Sequence, residues 1–159
     1  MKVCARRLLV CLGVACGLFL VSGCSSVGEL EGDDTTNQRA DVVMAGLAQL
    51  GTPYVYGGET PKEGFDCSGL TFYAHHVVGL NIPRTAKAQR KAAKPISGDR
   101  PRPGDMVFFK TGPGVYHVGL MIDRERFVHA STSRNRVRIA RLGNPYWRAR
   151  YLGAGTYLD

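Results

Sequence analysis

The sequence predicts an α+β domain, with helices in its first part and an antiparallel sheet after them. Two patterns and their order carry this. In the first part, apolar residues recur three and four apart, the repeat of a helix face: Val43, Leu47 and Leu50 beside Ala40, then Leu70, Ala74, Val77 and Val78. After the turn Pro101-Arg102-Pro103-Gly104-Asp105 the apolar residues gather into short segments separated by turn residues, as strands do. The two patterns are segregated along the chain, and helices followed by a strand meander form an α+β layout.

Taken in order, the first helix is expected over Gln38 to Leu50, ended by Gly51. Gly51 to Asp66 is punctuated by glycine and proline and reads as a loop. A second helix starts at Cys67, with Gly79 as its C-cap. Thr85 opens a short basic helix. Strands are expected over Met106–Lys110, His117–Asp123, Arg126–Ala130, Arg136–Arg141 and Tyr151–Leu158. Residues 39–159 have the size of one domain with one core, without an internal repeat.

The N-terminal part has a different character. Lys2, Arg6 and Arg7 precede an uncharged apolar run from Leu8 to Leu20, a signal-sequence pattern too short to span a bilayer comfortably. Residues 1–23 are therefore expected to be a signal peptide. Val21-Ser22-Gly23-Cys24 resembles the lipobox of bacterial lipoproteins, which implies acylation of Cys24 as the mature N-terminus; an ordinary cleaved signal is the alternative. Several acyl chains, at about 0.8 kcal/mol per buried methylene, would hold the protein durably on a membrane. Ser25 in the next position resembles the signal for sorting to an outer membrane, so a lipid-anchored place in the cell envelope, on the periplasmic face of that membrane, is expected. Residues 24–38 hold four acids and no Lys or Arg, and read as a flexible tether.

Residues 39–159 carry 18 basic and nine acidic residues. Such an excess suits an anionic partner such as cell-wall polymer, acidic lipid or nucleic acid, or simply solubilises the surface. The export signal disfavours nucleic acid.

Of five cysteines, Cys4, Cys11 and Cys16 leave with the signal and Cys24 is consumed by acylation, so Cys67 alone remains a thiol. A lone thiol in an exported protein is a reactive group, an intermolecular partner or a small buried hydrophobe. Asp66 places Cys67 at a helix N-terminus, where free amides and the macrodipole stabilise a thiolate and a developing oxyanion. Ser68 and Gly69 are small, which would keep that end accessible to a polymer. Of the four histidines, His75 and His76 follow eight and nine residues later on the same helix, roughly 12 Å or more along its axis. They are expected at the surface or helix end. His117 and His129 each close or open an apolar strand segment and are the candidates for a base. Asp66, Cys67, His117 and His129 could instead ligate zinc, but no closely spaced ligand pair occurs, and no metal or cofactor is expected.

The ordered series Gly51-Thr52-Pro53-Tyr54-Val55-Tyr56-Gly57-Gly58, Asp66-Cys67-Ser68-Gly69-Leu70, Pro83-Arg84-Thr85, Pro103-Gly104-Asp105-Met106-Val107-Phe108-Phe109, His117-Val118-Gly119 and Phe127-Val128-His129-Ala130 resembles the NlpC-type cell-wall cysteine peptidase family. The resemblance covers nearly all of residues 39–159. It implies a reduced papain-like fold, with Cys67 as nucleophile, His117 as general base and later acid, and His129 as the polar residue that orients it. Tyr54 falls where the family has an aromatic near the nucleophile, and Tyr56 stands where many relatives have tryptophan. With Asp66, Ser68 and Arg84 these tyrosines form the expected substrate-binding set, Arg84 as a recruiter of stem-peptide carboxylates. Peptidoglycan is the implied partner and a monomer the expected state. The favoured bond is the D-alanyl-diaminopimelate cross-link, ahead of the D-glutamyl-diaminopimelate bond within a stem. A non-catalytic wall-binding module and a cysteine-dependent amidase or acyltransferase are the alternatives.

One spacing resists this assignment. A two-residue turn at Arg124 and Glu125 would pair His129 with Leu120, three residues from His117 and on the opposite face, roughly 10 Å away. A flat hairpin therefore keeps the two imidazoles apart, and a bulge or strong twist would be needed to join them.

Overall fold

The first helix, α1, spans Asp34–Leu47 in a computed structural model that describes residues 34–97 and 101–158. The signal sequence, Cys24 and the tether up to residue 33 lie outside the described residues. Helix α1 takes in the last five residues of the expected tether. It buries Arg39, Val42, Val43 and Gly46, and leaves Leu50 exposed past its end. Arg39 donates to Asp105 Oδ1 at 2.7 Å and to the carbonyl of Pro103 at 3.1 Å, which fixes the helix to the start of the sheet.

The expected loop from Gly51 contains a two-stranded hairpin, β1 (Glu59–Thr60) and β2 (Gly64–Phe65). Helix α2 spans Cys67–His76, with Asp66 as N-cap accepting from the Gly69 amide at 2.6 Å. Gly79 at φ +81° ends it as the sequence predicts: the Leu80 amide reaches back to the His75 carbonyl and the Gly79 amide to His76, a Schellman closure. Helix α3 (Ala86–Ala92) is capped by Thr85.

Six antiparallel strands follow in the order β3-β8-β4-β5-β6-β7: β3 (Lys94–Pro95), β4 (Met106–Gly112), β5 (Val115–Met121), β6 (Arg126–Ser131), β7 (Arg136–Arg141) and β8 (Tyr151–Thr156). Five of these match the expected strands within a few residues. The two-residue β3 and the short helix α4 (Pro145–Arg148) were not expected. Side-chain alternation gives the sheet two apolar faces. Leu120, Val128 and Val137 pack with Val42, Leu70 and Ala74 of the helices. Val107, Phe109, Met121 and Phe127 pack on the other side with Trp147 of α4.

The histidine spacing resolves through the turn. Leu120 pairs with Val128 and Met121 with Phe127, one residue away from the two-residue-turn register. The turn holds three residues, because Ile122 N–H bonds to the Arg126 carbonyl while Asp123 Oδ1 accepts from the amides of Glu125 and Arg126 at 2.8 and 2.7 Å. Continued outward, this register sets His129 across from Gly119, two residues from His117 and on the same face. No bulge between the two strands is required.

Candidate active site

Cys67 heads α2 and packs against Ile82, Ala86, Met106, Phe108 and Val118. The amides of Val118, Ser68 and Cys67 itself reach its sulfur and favour the thiolate. Burial and the adjacent Asp66 carboxylate outweigh them and push the thiol up to about 11. Burial thus opposes the expected thiolate, because the sulfur is desolvated more strongly than the helix head can offset.

His117 and His129 come together, with Nε2 of His117 and Nδ1 of His129 2.9 Å apart and the rings at 83°. Both are buried. Burial pushes His117 down to about 4, partly opposed by Asp66; burial, His117 and Arg138 push His129 down as well. Both imidazoles are neutral at pH 7. Trp147 lies nearly parallel to the His117 ring at 5.3 Å and edge-on to His129 at 5.1 Å, closing the apolar side of the pair. Its signal was present in the chain: Asn144-Pro145 before Tyr146-Trp147 is a helix start, and Asn144 caps α4 with Pro145 in its first turn.

Cys67, His117 and His129 line one cleft of about 1020 Å³ together with Tyr54, Tyr56 and Trp147. Tyr56 is 91 % exposed on the rim. Tyr54 keeps its phenolic proton firmly, because burial and the nearby Cys67 and Asp66 raise its pKa.

The polar residues beside the nucleophile are occupied. Asp66 accepts from Gly57 N–H, Ser68 Oγ–H and both terminal nitrogens of Arg84, besides the Gly69 amide. Arg84 also donates to Glu59 Oε2 at 2.6 Å and to the Gly58 carbonyl at 3.1 Å. Arg84, expected as a recruiter of carboxylates, lines the same cleft, and its guanidinium clamps the β1–β2 hairpin to the head of α2. Ser68 is buried, and its small size serves this cluster. Gly69 is small because a Cβ there would overlap the Gly58 carbonyl oxygen. Gln89 completes the support, donating to the Ser68 carbonyl at 3.0 Å and accepting from the Thr71 hydroxyl at 2.9 Å.

Of the surface or helix-end places expected for His75, the structure gives it the second, in the last turn of α2. It is fully buried, with Nδ1–H donating to the Thr71 carbonyl at 2.8 Å and the ring edge-on to Tyr157 at 5.8 Å. His76 is exposed and stacks on Phe72. Among the described residues, no group of three His, Cys, Asp or Glu side chains converges as a metal site would require.

The model of the NlpC/P60 family matches residues 51–156. The chain is 42 % identical over 112 residues to the murein DD-endopeptidase MepS/murein LD-carboxypeptidase of Escherichia coli (strain K12), covering 69 % of this chain and 57 % of that protein. It is 36 % identical over 123 residues to the gamma-DL-glutamyl hydrolase of Bacillus subtilis (strain 168), covering 76 % of this chain and 30 % of the other. The chain thus spans less than two thirds of the length of either relative. A crystal structure of a lipoprotein-like NLP/P60 family protein from Staphylococcus aureus subsp. aureus Mu50 superposes with a TM-score of 0.70 at 30 % identity, over 85 % of this chain and 45 % of that one.

Proposed function

The chain belongs to the NlpC/P60 family, and on that premise we propose that it is a cysteine peptidase that hydrolyses amide bonds in cell-wall peptidoglycan. The observation that carries this reading is a helix-head thiol sharing one cleft with a hydrogen-bonded pair of neutral imidazoles. The resting state is thiol and imidazole, so attack and proton transfer proceed together. The Cys67 S–H proton passes to His117 as sulfur bonds to the substrate carbonyl carbon and the C=O pair moves onto oxygen. The Cys67 amide at the head of α2 and the Tyr54 hydroxyl are the donors for that oxyanion. His117 then gives its proton to the leaving amine as the C–N bond breaks, and water hydrolyses the thioester. His117 can act as the base only if His129 Nδ1 accepts the His117 Nε2–H, which leaves Nδ1 of His117 free for the thiol proton.

The favoured bond is the D-alanyl-diaminopimelate cross-link, supported by the higher identity to the relative named a DD-endopeptidase than to the one named a gamma-DL-glutamyl hydrolase. Attachment through an acylated Cys24 in the cell envelope belongs to the same reading, and its support is the sequence of residues 1–25. Digestion of purified cell wall followed by mass spectrometry tests it. The wild type releases fragments whose masses identify the bond cut, and Cys67→Ser lowers release by at least about 10³-fold while remaining folded. Full release by Cys67→Ser removes Cys67 from the chemistry.

A further inference from the structure

A second cleft, of about 1110 Å³, lies on β6, β7 and α4. Its wall carries Arg124, Arg126, Arg138, Arg141 and Arg148 against a single acid, Glu125. All five arginines are exposed. Arg126 and Arg141 sit directly opposite each other in the β6–β7 ladder, a like-charge pair that costs stability on its own. The fold neutralises those two, through Asp123 at 2.6 Å and Glu125 at 3.0 Å. Among the described residues, Arg124, Arg138 and Arg148 form no ion pair. Three uncompensated guanidiniums thus share one concave surface.

This cleft adjoins the catalytic one, because Arg138, Asn144 and Trp147 line both. Each is large enough for a ligand of several residues. Within the catalytic cleft the arginine next to the nucleophile is consumed by Asp66 and Glu59, and the cations of that cleft without an ion pair among the described residues are Lys87, Arg134 and Arg138, the last shared with the second cleft. A substrate extending past Trp147 meets cations of a kind that hold carboxylates in paired hydrogen bonds.

We propose that the second cleft holds the carboxylates of neighbouring, uncut peptide stems of the same wall polymer, so that the protein prefers polymeric wall to isolated stem peptides. This rests on the peptidase reading. Phosphate-bearing lipid headgroups offer similar anionic chemistry, and the shared wall with the catalytic cleft favours the polymer.

The test uses the double variant Arg124→Gln/Arg148→Gln, whose positions line only the second cleft, with Lys62→Gln/Lys94→Gln as a control of equal charge. The arginine variant raises the KM for purified sacculi about tenfold, equivalent to about 1.4 kcal/mol. Its kcat on sacculi and its kcat/KM for a soluble cross-linked peptide dimer stay within about twofold, and the control matches wild type. The proposal is overturned if KM for sacculi is unchanged, or if the control loses as much. Retention of wild type on phosphatidylglycerol vesicles that the arginine variant loses, with sacculus KM unchanged, overturns it in favour of a membrane surface. Pelleting of Cys67→Ser protein with sacculi, with and without the two arginine changes, reads the cleft without turnover. If no form releases fragments, the peptidase reading fails, and pelleting still decides whether the cleft binds wall.

Discussion

At the scale of single residues, the protonation of Cys67 governs how the site starts. Neutral thiol beside neutral imidazole predicts that iodoacetamide alkylates Cys67 slowly at pH 7, with the rate climbing from pH 9 toward the thiol's value of about 11. A rate that is already on a plateau between pH 5 and 8 would instead mean a preformed ion pair. The candidate side chains of the cleft were legible in the chain: one thiol in the domain, two histidines at strand ends, and Asp66 as a cap. Their charge states were not, because desolvation is a property of the assembled core, and nothing in the sequence announces that the Val118 amide reaches the sulfur. The same holds for Arg84. Its basicity is visible in the sequence, but the two carboxylates that absorb it lie 18 and 25 residues away.

At the scale of elements, the head of α2 is set by the β1–β2 hairpin pressed against it. A methyl group at position 69 meets the Gly58 carbonyl, a rigid backbone atom, so Gly69→Ala must push the hairpin or the helix aside. A loss of about 1–3 kcal/mol is expected, read as a lower denaturant midpoint, together with reduced wall hydrolysis because Cys67 moves with its helix. Wild-type stability in that variant would mean that the contact yields freely. The main strands were legible because their apolar segments are long and bounded by turn residues. The short hairpin and β3 were not, since two residues carry no period. The β5–β6 register missed by one because Asp123 closes a three-residue turn with its side chain, and that single residue decides whether His117 and His129 share a face.

At the scale of the whole molecule, several buried groups favour their neutral forms, and stability follows from that. His75, His117 and His129 are held below the ordinary value of 6.5, so an unfolded chain binds protons there that the folded one does not. Their stabilising contribution is complete above about pH 6.5 and is lost as pH falls toward about 4. Cys67 has the opposite sense, held above 9.0 at about 11, so its contribution is complete below pH 9 and is lost between 9 and 11. Tyr54 and Tyr157 add to the loss above pH 10. Thermal midpoints should therefore be flat from about pH 6.5 to 9 and fall on both sides. Cys67→Ala should remove the first part of the alkaline decline, and an unaltered decline in that variant would contradict the buried-thiol assignment.

Arg39 has a consequence for where the chain can be shortened. Its guanidinium binds Asp105, which is fully enclosed, and also reaches Thr156 Oγ1 and the Leu158 carbonyl near the other end of the chain. Of the described residues ahead of 39, those at 35–38 are exposed or half-exposed, whereas cutting behind Arg39 strands a carboxylate in the interior at a cost of about 3–5 kcal/mol. The smallest self-sufficient piece thus begins before Arg39, whose one guanidinium laces an early helix to the last strand.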